Sequence, residues 1–259
     1  VGGNEWRRSK FEPILIDTHH IAPCYAYREK YDNETEFEFG QRVANELETT
    51  IEKLGSQNVM AFVAEPVVGA TLGAVPAVDG YFKTIREICN RNGVLLILDE
   101  VMCGMGRTGT LFAYEQEGIA PDIVCIAKGL GAGYQPIGAT ICTDKIYEAI
   151  KSGSGFFQHG HTYLGHPMAA AAADAVIDVL LNDNILTNVN NTGDHLKDTL
   201  HTKFAQHVHV GDIRGRGLFY GLEIVQDRES KEPFPSSYGI ARKIKSVAKD
   251  KGLLCYPMS

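Results

Sequence analysis

The chain has 259 residues, 44% of them hydrophobic and 22% charged, with a formal net charge of -7. That length can bury a substantial core as one large domain or two smaller ones, and the acidic balance argues against a broad nucleic-acid footprint. No apolar run approaches the ~20 residues needed to span a bilayer, and no signal or transit peptide is visible at the start. The six cysteines show neither a C-x-x-C pair nor metal-ligand spacing, so buried free thiols in a reducing compartment are expected.

Residues 11–36 read as irregular, with Pro13, Pro23 and a patch rich in Tyr and charge. Residues 38–53 predict a helix, because Phe39, Val43, Leu47 and Ile51 recur with a period of four. Residues 59–64 are an apolar run stopped by Glu65-Pro66, hence a buried strand. A Gly/Pro-rich loop over 69–80 leads to a helix over 81–92, which Asn92-Gly93 stops. The run Val94-Leu95-Leu96-Ile97-Leu98 then ends on Asp99, and a second run, Ile123-Val124-Cys125-Ile126-Ala127, ends on Lys128. Between them lie a loop over 103–110 and a short helix over 111–117. A loop over 129–136 and a short strand over 139–143 follow Lys128. Pro167 opens an Ala-rich stretch to residue 182 that reads as a packed helix, and helical composition resumes over 184–204. Residues 208–225 read as two short strands around Arg214-Gly215-Arg216-Gly217, residues 238–250 as a helix, and residues 253–256 as strand-like.

Strands that alternate with helices predict an α/β fold whose mostly parallel sheet is sandwiched by helices. The texture changes near residue 185. A large domain over 1–184 and a smaller α+β C-terminal domain over 185–259 are expected, and the chain is expected to be a fragment lacking both ends. Ligands of open α/β sheets bind outside the carboxyl ends of the strands. Glu65, Asp99 and Lys128 all fall at such ends, which implies one shared cleft.

An amine and an acid so placed suit an aldehyde cofactor. The lysine can hold it as a Schiff base, and a carboxylate beside a ring nitrogen keeps that nitrogen protonated. A lysine amine is a better nucleophile once burial disfavours its charged form, and Lys128, following Val-Cys-Ile-Ala, is expected to be partly buried. Glycines at 129, 131 and 133 leave room for a bulky group. The plain alternative for Lys128 is a surface lysine opening a loop; for Asp99-Glu100 it is a strand-end turn or a helix cap. A nucleoside triphosphatase would also end a strand on Asp-Glu, but it needs a G-x-x-x-x-G-K-[ST] loop, and this sequence has no Gly-Lys dipeptide. His159, His161 and His166 sit in a Gly-rich loop without the i,i+4 spacing of a zinc helix, so no metal is expected. Thr162 in that loop, ahead of the helix at Pro167, suits a phosphate oxygen.

Taken together, Glu65-Pro66-Val67-Val68-Gly69, Leu98-Asp99-Glu100-Val101, Gly106-Arg107-Thr108-Gly109, Ala127-Lys128-Gly129-Leu130, Gln135-Pro136-Ile137-Gly138-Ala139 and His161-Thr162-Tyr163 with Gly165-His166-Pro167 resemble, in order and spacing, the class III pyridoxal-phosphate-dependent aminotransferases. The resemblance implies a fold-type-I PLP-dependent transferase and a homodimer with active sites at its interface. By it, Lys128 binds pyridoxal 5'-phosphate covalently and shuttles a proton, Asp99 pairs with the pyridine nitrogen, Val101 packs on the ring, Thr162 binds the phosphate of the partner subunit's cofactor, and Glu65 lies nearby. Arg107 and the glycines at 106 and 109 are expected to shape a loop rather than to react. Met102 stands where many members carry Gln, and Thr162-Tyr163 leads to His166-Pro167 where others have Asn-Pro. Both departures point toward the subgroup that moves an amino group from an ω-amino acid or amine to a keto acid such as pyruvate.

The resemblance places the family's Gly-Ser phosphate loop and ring-stacking aromatic upstream of Val1, and its substrate-carboxylate arginine past Ser259. The alternatives are a non-catalytic or truncated relative, or a PLP-dependent lyase or decarboxylase of the same family. Small-molecule amine and keto-acid substrates are the expected partners, with no nucleic acid and no membrane. An intracellular, cytoplasmic location is expected, with a mitochondrial one left open.

Overall fold

The computed structural model describes residues 2–258. α1 (Glu5–Arg8) and α2 (Ala26–Glu29) are single turns in the otherwise irregular start. α3 (Glu36–Leu54) begins at a capping box, in which Thr35 Oγ1 accepts the Glu38 N–H at 3.2 Å and the Glu38 carboxylate accepts the Thr35 N–H at 2.8 Å. Its stripe of Phe39, Val43, Leu47 and Ile51 is buried, as a period near 3.6 requires of a core-facing helix. β1 (Ala61–Ala64) follows. Inside the Gly/Pro-rich stretch, β2 (Val67–Val68) and β3 (Val75–Pro76) form a small antiparallel ladder. The sequence reading passed over this ladder, because two-residue strands carry no periodicity. α4 (Tyr81–Asn92) ends at Gly93 in the left-handed region, φ 69°, a conformation glycine adopts without a Cβ penalty.

β4 (Leu95–Asp99), β5 (Ile123–Ile126) and β6 (Ala139–Cys142) complete a four-stranded sheet of order β1-β4-β5-β6. β1, β4 and β5 run parallel, and β6 returns antiparallel to β5. One face takes Leu96, Leu98, Val124 and Ile126 into the core. α3 and α4 cover its β1–β4 part through Phe39, Leu47, Phe82, Ile85 and Ile88. Ala173 and Leu130 pack over the β5 part. The other face carries Leu95, Ile97, Asp99 and Ile123, which are only partly buried. Asp122 fixes the end of the crossover, just before β5: its carboxylate accepts the Leu96 N–H at 2.7 Å and pairs with Arg86 at 2.7 Å.

α5 (Asp144–Ser152), which the sequence reading did not mark, has no buried residue. α6 (Pro167–Asn182) has the predicted bounds, but it is not the packed helix its composition suggested. Only Ala169 and Ala173, one turn apart, are buried. An Ala-rich helix has apolar atoms all round, so composition could not say how much of it would find a neighbour.

α7 (Ile185–Phe204) leads to a hairpin, β7 (Val210–Arg216) and β8 (Phe219–Ile224), and then to α8 (Ile240–Asp250). Arg214 and Arg216, two residues apart on one strand face, clamp this hairpin to the first part of the chain. Arg214 donates to the carbonyls of Leu72 and Gly73 at 2.7 and 3.0 Å, and Arg216 to the Ala77 carbonyl at 3.0 Å. Arg216 also pairs with the buried Glu117 at 2.5 Å. Burial raises the Glu117 pKa and the adjacent guanidinium lowers it, with burial prevailing. Residues 253–256 form no strand. A strand needs a ladder to satisfy its backbone, and no described strand pairs with this segment.

Candidate active site

The period of two along β4 decides what Asp99 and Glu100 do. Leu96, Leu98 and Glu100 turn into the core, while Asp99 emerges on the less covered face. Asp99 Oδ1 accepts the Val101 N–H at 3.0 Å. The Glu100 carbonyl accepts the Gly104 N–H at 2.9 Å, so one helical turn starts directly at the strand end. Val101 and Met102 are half-buried in that turn.

The neighbouring strand brings Glu65. Ala64 pairs with Leu98 in the β1–β4 ladder, so Glu65 leaves β1 beside Asp99. Its Oε2 accepts the Gly69 N–H at 2.8 Å. Gly69 lies under Met102, and a Cβ there would stand 2.5 Å from Met102 Sδ and 3.2 Å from Glu65 Oε2. Burial raises the Glu65 pKa; the Gly69 amide lowers it, the Asp99 charge raises it, and the Lys128 charge lowers it. One carboxyl therefore feels both partners of the proposed pair. The parallel strands β1, β4 and β5 deliver Glu65, Asp99 and Lys128 to a single carboxyl edge of the sheet, the edge at which the sequence leads one to expect a shared cleft.

Lys128 departs from expectation in one respect: it is exposed, not partly buried. It stands two residues past the end of β5, at the start of a 3-10 turn, Lys128–Gly131, and residues 132–134, the next part of the loop, are exposed as well. Among the described residues its Nζ makes no hydrogen bond and no ion pair. Its backbone is held at φ 46°, and Met105 and Ala132 are likewise left-handed at φ 54° and 48°. Non-glycine residues in this region cost about 1–2 kcal/mol each, and such strain gathers at functional sites. A Cβ at Gly129 would lie 2.8 Å from Met105 Cβ, so a glycine is needed where the two strained loops meet.

Thr162 is not brought to this edge by its own chain. The loop over 153–166 that carries it is exposed throughout, and no hydrogen bond among the described residues joins it to Glu65, Asp99 or Lys128. Arg107 is exposed at its side chain, while its carbonyl accepts the Leu218 N–H at 3.0 Å. Thr108 is buried and its hydroxyl donates to the Cys103 carbonyl at 3.1 Å. The 103–110 loop is thus built against the turn of the β7–β8 hairpin. The sequence reading passed over Glu100 and Glu117, buried acids whose partners lie 13 and 99 residues away. For Glu100 a signal existed: the residue after an outward-facing strand position faces inward.

An open α/β sheet that presents two acids and an amine at one carboxyl edge has them where folds of this class bind small ligands. The comparisons make that class specific. The sequence profile described as Aminotransferase class-III matches residues 2–259. An aminotransferase of Gibberella zeae is 47% identical over 99% of this chain and 51% of its own length. A taurine–pyruvate aminotransferase of Bilophila wadsworthia is 36% identical over 96% of this chain and 54% of its own. The solved structure of an amine transaminase from an uncultivated Pseudomonas species, in a PLP-bound form, superposes with a TM-score of 0.95 at 36% identity and covers 100% of this chain and 59% of that one. The chain belongs to the class III aminotransferase family, and its fold is that of the fold-type-I transaminases. It spans about half the length of the curated relatives it matches. Among the described residues no helix is long and apolar enough to cross a membrane.

Proposed function

We propose that this protein is a pyridoxal-phosphate-dependent transaminase that moves an amino group from an ω-amino acid or amine to a keto acid such as pyruvate. The observation that carries the reading is the delivery of Glu65, Asp99 and Lys128 to one edge by adjacent parallel strands. The residues fit the cofactor: an amine without an ion pair, a carboxylate with one oxygen committed to Val101, and glycines at 69 and 129 where a Cβ would crowd the turns. The bound cofactor supplies an electron sink for the bonds at the substrate carbon.

The chain's own residues would work as follows. Lys128 Nζ would hold the cofactor's aldehyde carbon, with loss of water, and as a free amine would hold the proton that moves at the substrate carbon. The Asp99 carboxylate holds a proton on the ring nitrogen by opposite charge. Val101 packs on the ring face. Glu65 stands beside Asp99, and burial raises its pKa. Met102, on Gly69, adds an apolar wall where a polar residue would hydrogen-bond.

The exposed loop that carries Thr162 supports a homodimer in which Thr162 binds the phosphate in the partner subunit's site. Phe156, Phe157, Tyr163 and Leu164 are exposed on this same loop, and large exposed apolar side chains close in sequence suit an interaction site. Residues 1–184 and 185–259 are read as belonging to the large and small domains. The location is read as intracellular, in the cytoplasm.

The test is the visible absorbance of the purified protein with pyridoxal phosphate, before and after borohydride, in the wild type and in Lys128→Ala. The wild type is expected to show a band and a reducible adduct, and the variant neither. A reducible adduct that survives in Lys128→Ala would transfer the role to another lysine.

A further inference from the structure

Glu100 has no task in the mechanism above, yet it is the most thoroughly enclosed acid at the site, with 0% of its surface exposed. Its two oxygens reach to the far end of the following loop: Oε2 accepts the Ala113 N–H at 2.7 Å and Oε1 the Tyr114 N–H at 2.8 Å. Its backbone is committed as well. The N–H donates to the Cys125 carbonyl at 2.8 Å, tying it to the strand that leads to Lys128, and its carbonyl accepts the Gly104 N–H at 2.9 Å. The turn so anchored is the one Asp99 caps through the Val101 N–H. Gly104 is fitted to the carboxylate, since a Cβ there would lie 2.8 Å from Glu100 Oε2.

No cation among the described residues pairs with Glu100. The groups facing it are Glu115, of like charge, the Tyr114 phenol from the 113–117 turn, and the Cys103 thiol from the turn after β4. Burial pushes its pKa up to about 7 against the two amides that lower it. A buried acid held only by amide dipoles is a poor stabiliser, and similar volume in apolar atoms would serve packing better. Its geometry serves position instead.

We propose that Glu100 is the positioning residue for Asp99: its carboxylate hooks residues 113 and 114 to the base of β4, and so holds the Asp99 carboxylate in one orientation toward the cleft. The inference rests on the reading of Asp99 as the partner of the cofactor's ring nitrogen.

The experiment uses the protein loaded with pyridoxal phosphate labelled with 15N in its ring. Glu100→Gln keeps the shape but offers only one acceptor oxygen. Gly104→Ala crowds the same residue from the other side, its Cβ meeting Glu100 Oε2 at 2.8 Å and the Glu100 carbonyl at 2.9 Å, without changing the acid's chemistry. Each variant is read by the visible band, the ring 15N shift, amide exchange at Ala113 and Tyr114, and kcat against KM. Both are expected to keep the band and to exchange the two amides at least about tenfold faster. The ring nitrogen is expected to lose part of its pyridinium shift, and kcat to fall by about 10- to 100-fold with KM little changed, the scale of a 1 Å misplacement. A folded Glu100→Gln with wild-type 15N shift and kcat overturns this proposal and leaves the cofactor reading standing. If Glu100→Gln does not fold, Gly104→Ala decides by the same readouts. A wild-type protein without a visible band overturns the cofactor reading, and this proposal with it.

Discussion

β4 and β6 lie in one sheet and are both apolar, yet they have opposite fates. Leu96 and Leu98 on β4 are 0% exposed, whereas Ile141 on β6 is 45% exposed and all four β6 residues face outward. β4 is flanked by β1 and β5 and covered by α3 and α4, while among the described residues β6 pairs with β5 alone. The same contrast separates the candidate residues. Asp99 and Glu65 stand on strands fixed by a finished core; Thr162 stands on a loop with no cover. A strand's composition says that it wants burial, and only its neighbours say whether it receives it. In this chain the acids stand on covered strands, and the Thr162 loop is exposed.

The largest effect tests the well-supported side. Lys128→Ala is expected to lower amino transfer by at least about 10⁴-fold, since an alanine cannot act as the covalent nucleophile. Stopped assays of amine consumption with pyruvate would measure it, and a loss below tenfold would remove Lys128 from the mechanism. Asp99→Asn should cost about 10²- to 10³-fold, because an amide cannot stabilise a protonated ring nitrogen by charge. Its visible band should persist at shifted wavelength, which separates loss of electronics from loss of binding.

A paired substitution sharpens the contrast within the sheet. Leu98→Ala should destabilise the chain by about 3 kcal/mol, as expected for a buried leucine. Ile141→Ala on β6 should stay within about 0.5 kcal/mol in the isolated chain, as surface changes do. Urea midpoints would give both values, and equal losses would mean that β6 is covered by the chain itself.

The buried acid gives a pH dependence of definite sign. Glu100 has a folded pKa near 7 against an unfolded value of 4.5, so the folded state holds its proton more tightly. The contribution is fully present below pH 4.5 and is lost as pH rises through about 7, by about 3 kcal/mol in total. Melting of the wild type should therefore fall from pH 5 to 8 relative to Glu100→Gln. Parallel curves for the two would show that the carboxyl is not titrating.

The smallest effect is chemical. Cys89 and Cys103 are buried, with thiol pKa values pushed up by burial to about 11 and about 12, while Cys142 on β6 is exposed. A thiol reagent should modify Cys142 in the native protein long before the other two. Their prompt reaction without denaturant would mean that the β4 side is no better closed than the β6 side.

Some of this was written in local pattern. The stripe on α3, the stop at Gly93 and the two apolar runs ending in Asp99 and Lys128 follow from period and punctuation, which act over a few residues. The family's motifs were equally local. The exposure of Lys128, the uncovered α6 and the missing strand over 253–256 were not readable, because each depends on what another segment places beside it. The unanticipated α5 is short and buries nothing, so it leaves only a weak mark in composition.

By itself the sequence determined that Glu65, Asp99 and Lys128 stand at strand ends, because side-chain type and hydrophobic period are properties of the chain alone. Only the folded chain decided that Glu65, Asp99 and Lys128 meet at one edge, that Glu100 turns away into the core, and that Arg214 and Arg216 clamp the hairpin to loops some 140 residues earlier. Those are matters of register and of close approach between distant segments. They are set when apolar faces are buried together and every enclosed polar group must find a partner.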